Sequence, residues 1–159
     1  MNWFRIAVLL LFFSQTNTIY SQLNNIIPTP KEQTIKNGFM LIENNPEIIT
    51  NDKFKSALTL LKNAINELNL DNDEKPKNRI KFSYNKKLDN EEYILRINSN
   101  LITISASTEN GAIFGFQSLN QLMNLNLNNG VIKLKNQEIK DSPRFKYRGM
   151  HLDVGRHMY

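Results

Sequence analysis

Groups able to do chemistry crowd at one end of this 159-residue chain. The run 141–157 holds Asp141, Arg144, Lys146, Arg148, His151, Asp153, Arg156 and His157 among Phe145, Tyr147 and Leu152. Its arginines are always charged, and each guanidinium sets its donors in a rigid plane, so two of them can meet neighbouring oxygens together. Elsewhere the candidates are weaker. Glu91 and Glu92 are adjacent, but neighbours on an extended segment point apart, so they read as a solvated strand start rather than a paired acid and base. Gly111 and Gly115 are four apart, yet no GxGxxG or P-loop pattern surrounds them to make a phosphate cradle. Close approach of a helix to a sheet explains them better, since glycine weakens a helix and needs a reason to be there. No Ser-His-Asp set and no His or carboxylate cluster at metal-ligand spacing precedes residue 141.

Composition narrows the classes further. With 40% hydrophobic and 22% charged residues the chain suits a globular protein with one ordinary core. The net charge of +5 comes from scattered basic residues, not from a dense stripe, which argues against a nucleic-acid partner. There is no cysteine, hence no disulfide, thiol nucleophile or thiolate metal site. Arg5, the apolar run 6–13 and Ser21 before Gln22 read as a signal peptide over residues 1–21. The apolar run is too short to span a bilayer comfortably, so no stable membrane insertion is expected after cleavage. The protein is expected to be exported, to the periplasm or the extracellular space.

The elements that must position the C-terminal run lie between residues 22 and 141. Ile27-Pro28-Thr29-Pro30 predicts an extended lead-in, because each proline fixes its own φ and biases its predecessor away from helix. A strand is expected over 33–43, with Gly38 as a turn or bulge and Phe39 and Leu41 on one face. Ile48 and Ile49 start a second strand, and Asn51 or Asp52 can cap the helix after it. Phe54, Ala57, Leu58, Leu61, Ile65 and Leu68 form one apolar stripe on that helix, over 53–68, and the stripe reads as core-facing. The polar stretch 69–78, with Pro76, is a loop. Ile80, Phe82 and Tyr84 alternate in a strand, and strands at 93–98 and 101–106 flank a Ser99-Asn100 turn as a hairpin. Extra apolar residues at Ile94 and Leu101 suggest that both faces are partly covered. Ser107 or Thr108 caps a second helix running to about Leu125, and after the turn Asn128-Asn129-Gly130 a last strand begins at Val131. The expected fold class is α+β, a small sheet with two helices packed on one face.

The run Pro143-Arg144-Phe145, then Arg148-Gly149, Leu152-Asp153 and Arg156-His157 resembles the start of the catalytic barrel of glycoside hydrolase family 20. Two further likenesses come in the right order: Ile27-Pro28-Thr29-Pro30 resembles the lead-in of that family's N-terminal accessory domain. Asn110-Gly111-Ala112-Ile113-Phe114-Gly115 with Gln117-Ser118-Leu119-Asn120-Gln121-Leu122 resembles its second helix. The resemblance implies an accessory domain over 22–141 and, over 142–159, the first strand of a truncated (β/α)8 barrel. It also implies a retaining exo-acting β-N-acetylhexosaminidase, metal- and cofactor-free. The partners would be N-acetylglucosamine- or N-acetylgalactosamine-terminated glycans, whose own acetamido oxygen attacks the anomeric carbon.

Arg148 is the functional residue that the resemblance carries over: the matching arginine grips hydroxyls of the non-reducing sugar, deep in the pocket. Asp153, Arg156 and His157 are expected as a supporting polar network near the pocket wall, and His151 as a packed strand residue. Gly155 and Met158 depart from the family pattern, at positions that touch packing more than chemistry. The family's aspartate-glutamate pair lies far downstream, so no catalytic residue is expected in this chain, which would be catalytically silent, a gene fragment or a truncated sequence. Two other readings are an exported, non-catalytic carbohydrate-binding or interaction module, and a hyaluronidase-like or glucuronidase-like relative with the same accessory domain.

Overall fold

Alternation along the strands decides the architecture. Ile80 and Phe82, Tyr93, Leu95 and Ile97, and Ile102, Ile104 and Ala106 are all buried, while Lys81, Arg96 and Thr103 between them are not. A period of two of this kind gives a sheet with one dry face. The computed structural model describes residues 26–49, 52–71 and 75–149. The expected signal peptide therefore lies outside the described residues, as does Asn51.

The strands are β1 (Glu32–Ile42), β2 (Glu47–Ile49), β3 (Arg79–Tyr84), β4 (Tyr93–Ile97), β5 (Leu101–Ala106), β6 (Leu127–Asn128) and β7 (Val131–Asp141). The helices are α1 (Lys55–Glu67), entered through a 3-10 turn at Asp52–Phe54, and α2 (Glu109–Leu125). Together the strands form one sheet in the order β1-β7-β4-β5-β3-β2, with β6 added beside β7. β2 and β3, and β3 and β5, are parallel; the other pairs are antiparallel. Two crossovers follow: α1 joins β2 to β3, and α2 joins β5 to β7 over the intervening β4. Both move the same way along the sheet between parallel strands. Right-handed crossovers therefore place both helices on the same face. One core cluster accordingly unites Ala57, Leu61 and Ile65 of α1 with Phe116, Leu119 and Leu122 of α2 and the buried strand residues.

Most of the expected elements are present, and the differences have physical causes. No side chain caps α1 locally; instead the Glu109 carboxylate, in the first turn of α2, accepts hydrogen bonds from the amides of Ser56 at 2.6 Å and Ala57 at 2.9 Å. A carboxylate there satisfies two orphan donors and meets the positive end of the helix dipole, wherever in the sequence it comes from. Phe39 and Leu41 do share a face, but it is the exposed one, and Met40 and Ile42 point into the core. β1 and β7 lose register between Ile35 and Phe39. Gly38 sits there at φ 94, where a Cβ would stand 2.7 Å from Asn136 Nδ2, itself donating to the Asn37 carbonyl at 3.0 Å. Glycine is the residue that fits both the backbone angle and the gap. Ile94 and Leu101 on the second face are only partly covered. Residues 142–149, expected to open a barrel strand, carry no strand among the described residues. A barrel strand takes its hydrogen bonds from neighbouring barrel strands, and no such strand lies among the described residues.

Candidate functional site beside the C-terminal exit

The two ends of the described chain meet over the middle of α2. Glu32 pairs with Lys140 in the β1–β7 ladder, and the Lys31 amide donates to Asp141 Oδ1 at 3.1 Å. One step earlier the lead-in is clamped by a side chain acting like a strand: Gln121 Oε1 accepts from the Ile27 amide at 3.0 Å, and Gln121 Nε2 donates to the Ile27 carbonyl at 3.1 Å. The Ile27–Pro28 peptide is cis. Between this lead-in, the α2 face bearing Phe114, Gln117 and Ser118, and the exit segment 141–148 lies a mostly apolar cavity of about 400 Å³.

Two glycines let α2 come close enough to floor this cavity. A Cβ on Gly115 would lie 2.6 Å from Ile104 Cγ2 and 3.2 Å from the Tyr93 ring, and one on Gly111 would lie 2.6 Å from the Glu92 carbonyl. They are there for close approach, as their spacing implied. Thr108 caps the helix, accepting from the Gly111 amide at 3.3 Å. On the floor, Tyr93 and Ser118 share a buried hydroxyl–hydroxyl hydrogen bond of 2.6 Å. Burial pushes the Tyr93 hydroxyl up to about 12, with the Asp141 charge adding to the rise and the Ser118 bond opposing it.

The rim is charged. Arg148 donates from Nη2 to Glu91 Oε1 at 2.7 Å and from Nη1 to the Phe145 carbonyl at 2.7 Å. Glu92 pairs instead with Lys140 at 3.3 Å. Its carboxyl is held below the usual range, chiefly by the Asp89 amide and, against the cost of burial, by Lys140. The adjacent glutamates thus take different partners, and each is ion-paired, not merely solvated. Arg148 is exposed at the cavity's edge in a guanidinium–carboxylate pair, and Phe145 and Tyr147 beside it are 72% and 90% exposed. Asp153, Arg156 and His157 lie outside the described residues. Sequence reasoning missed Glu91 as the arginine's partner and Gln121 as the clamp. The long sequence separation of both contacts leaves no local signal. Among the described residues no three or more His, Cys, Asp or Glu gather where they could hold a metal ion, and no helix is long and apolar enough to cross a membrane.

Known proteins give this arrangement a context. Residues 23–142 match the family described as glycosyl hydrolase family 20, domain 2. A beta-hexosaminidase of Porphyromonas gingivalis is 30% identical over 152 residues, covering 87% of this chain and 20% of its own. A beta-hexosaminidase of Vibrio vulnificus is 26% identical over 135 residues, covering 85% and 16%. Among solved structures, a GH20 exo beta-N-acetylglucosaminidase from Vibrio harveyi in complex with N-acetylglucosamine superimposes with a TM-score of 0.70 at 26% identity, over 84% of this chain and 21% of that one. The chain therefore spans 16% to 20% of the length of these two beta-hexosaminidases.

Proposed function

Since the chain belongs to glycosyl hydrolase family 20 and carries its domain 2, we propose that it is the N-terminal part of an exo-acting β-N-acetylhexosaminidase that removes terminal non-reducing N-acetyl-D-hexosamine residues from glycans. The observation that carries this reading is the family match over residues 23–142, followed at once by the Arg148-bearing exit segment. In this reading 22–141 is the accessory domain and 142–159 enters the catalytic barrel. Arg148 grips sugar hydroxyls, with Asp153, Arg156 and His157 supporting the pocket wall. Hydrolysis is retaining and substrate-assisted: the acetamido oxygen of the substrate is the nucleophile, so the enzyme supplies an acid and an orienting carboxylate rather than a covalent partner. Those carboxylates belong to the barrel, and the protein acts after export.

Arginine suits the task. Its fork of fixed donors can meet two vicinal hydroxyl oxygens together, which a lysine point charge cannot reproduce. The test is hydrolysis of a chromogenic N-acetylglucosaminide. The purified chain is expected to give no turnover, and the hexosaminidase that carries this domain is expected to release terminal sugars only. Turnover by the chain alone would move the chemistry into the residues described here, and preference for internal linkages would defeat the exo assignment.

A further inference from the structure

Glu91 stands on a turn that is fastened before any partner arrives. The Asp89 amide donates to Glu92 Oε2 at 2.9 Å, the Glu92 amide to the Asp89 carbonyl at 3.1 Å, and Ser107 Oγ to the same carbonyl at 2.9 Å. Thr108, the cap of α2, bonds the Asn90 carbonyl, and Lys140 ties Glu92 to β7. These bonds fix the backbone that carries Glu91, so pairing has only its side chain left to order. Its partner is Arg148, 57 residues away in sequence and on the segment that leaves the domain.

We propose that Glu91 is a positioning residue for Arg148, through which the accessory domain sets the orientation of the sugar-gripping guanidinium. The inference rests on the reading of Arg148 given above. Glu91 and the Phe145 carbonyl each hold one Nη group, which fixes the plane of the fork. Of the five N–H donors of an arginine, two are thereby used, and three remain for sugar hydroxyls. The side chains of Glu91 and Arg148 are 28% and 44% exposed, so the pair remains accessible to a ligand.

The test has two arms. In this chain, NMR of the arginine side-chain nitrogens follows the Arg148 guanidinium in wild type and in E91Q, with the fold of each checked by circular dichroism. Held as described, its two Nη groups are inequivalent and slow to rotate, and E91Q averages them; unchanged signals in a folded E91Q overturn the proposal. In the hexosaminidase that carries this domain, E91Q raises KM for a chromogenic N-acetylglucosaminide about two- to fivefold with little change in kcat. R148K raises KM about tenfold or more, through lost charge-assisted hydrogen bonds. Wild-type KM in R148K defeats the sugar-gripping reading itself. Wild-type KM in E91Q beside an impaired R148K defeats the role of Glu91 alone.

Discussion

Replacing Gly115 by alanine sets two effects of opposite sign against each other, and the structure decides between them. Alanine inside a helix is favoured over glycine by about 1 kcal/mol. Against this, the new Cβ would lie 2.6 Å from Ile104 Cγ2 and 3.2 Å from Tyr93 Cδ2. Ile104 is 0% exposed and Tyr93 3%, so neither can swing aside. Overpacking of a tight core costs about 1–3 kcal/mol, and contacts this short belong in the upper half of that range. The expected net loss is about 1–2 kcal/mol, or a fall in melting temperature of several degrees for a domain of this size. Urea and thermal unfolding followed by circular dichroism measure both. A second variant separates the mechanism from general damage. Ile104→Ala removes the clashing methyl group at a cost of about 2–5 kcal/mol by itself. Combined with Gly115→Ala it should cost less than the sum by about 1 kcal/mol. A Gly115→Ala chain that melts higher than wild type, or strict additivity in the pair, would refute the seating of α2 on the sheet described here.

Other expectations follow from the site and its mounts. Tyr93→Phe strands the buried Ser118 hydroxyl and should cost about 1 kcal/mol at neutral pH. Because burial raises the Tyr93 hydroxyl from 10.0 to about 12, the unfolded chain gives up this proton before the folded one does. Stability should therefore fall as pH climbs through that interval, and urea midpoints of Tyr93→Phe should lack this part of the slope. Glu109→Ala removes the shared cap of α1 and should lose about 1–2 kcal/mol, with Glu109→Gln losing less because it keeps an acceptor; thermal unfolding of both reads the difference. Arg96 hydrogen bonds, aided by Lys36, hold the Glu138 carboxyl below its ordinary 4.5. The stability it lends is present at neutral pH and lost as acid titrates it below that value. At about a third exposed it contributes at most about 1 kcal/mol, and Glu138→Gln should show a correspondingly weaker acid dependence in urea unfolding.

Local periodicity carried much of the fold. The stripe Phe54, Ala57, Leu61, Ile65 and Leu68 was legible because a helix repeats its buried face every three or four residues. The β4–β5 hairpin was legible because the turn Ser99-Asn100 separates two short apolar runs, and the Asn98 amide donates to the Leu101 carbonyl at 3.1 Å across it. Gly111 and Gly115 were legible as close-approach residues because glycine inside a helix needs a cause. What stayed hidden was long-range. Glu109 caps a helix that begins 54 residues earlier by supplying charge, not by adjacency in sequence. The inward turn of Met40 and Ile42, rather than Phe39 and Leu41, depends on the shift of register at Gly38, and no pattern within β1 alone announces it. β6 escaped notice because two residues carry too little alternation to read. For the site, family likeness alone singled out Arg148 and its proposed sugar-binding role, and its partner Glu91 emerged only from the fold.

The pairing of Glu32 with Lys140 places the start of β1 and the end of β7 side by side at one end of their ladder. A force drawing the chain apart at these points would open β1 from β7 like a zipper, loading one pair of hydrogen bonds at a time instead of shearing the whole ladder at once. Mechanical resistance along that direction is correspondingly small. Protection of the ladder against tension comes from contacts ahead of the first rung, the Gln121 clamp and the bonds from Lys31 to Asp141 and Ser142, which would have to break before it.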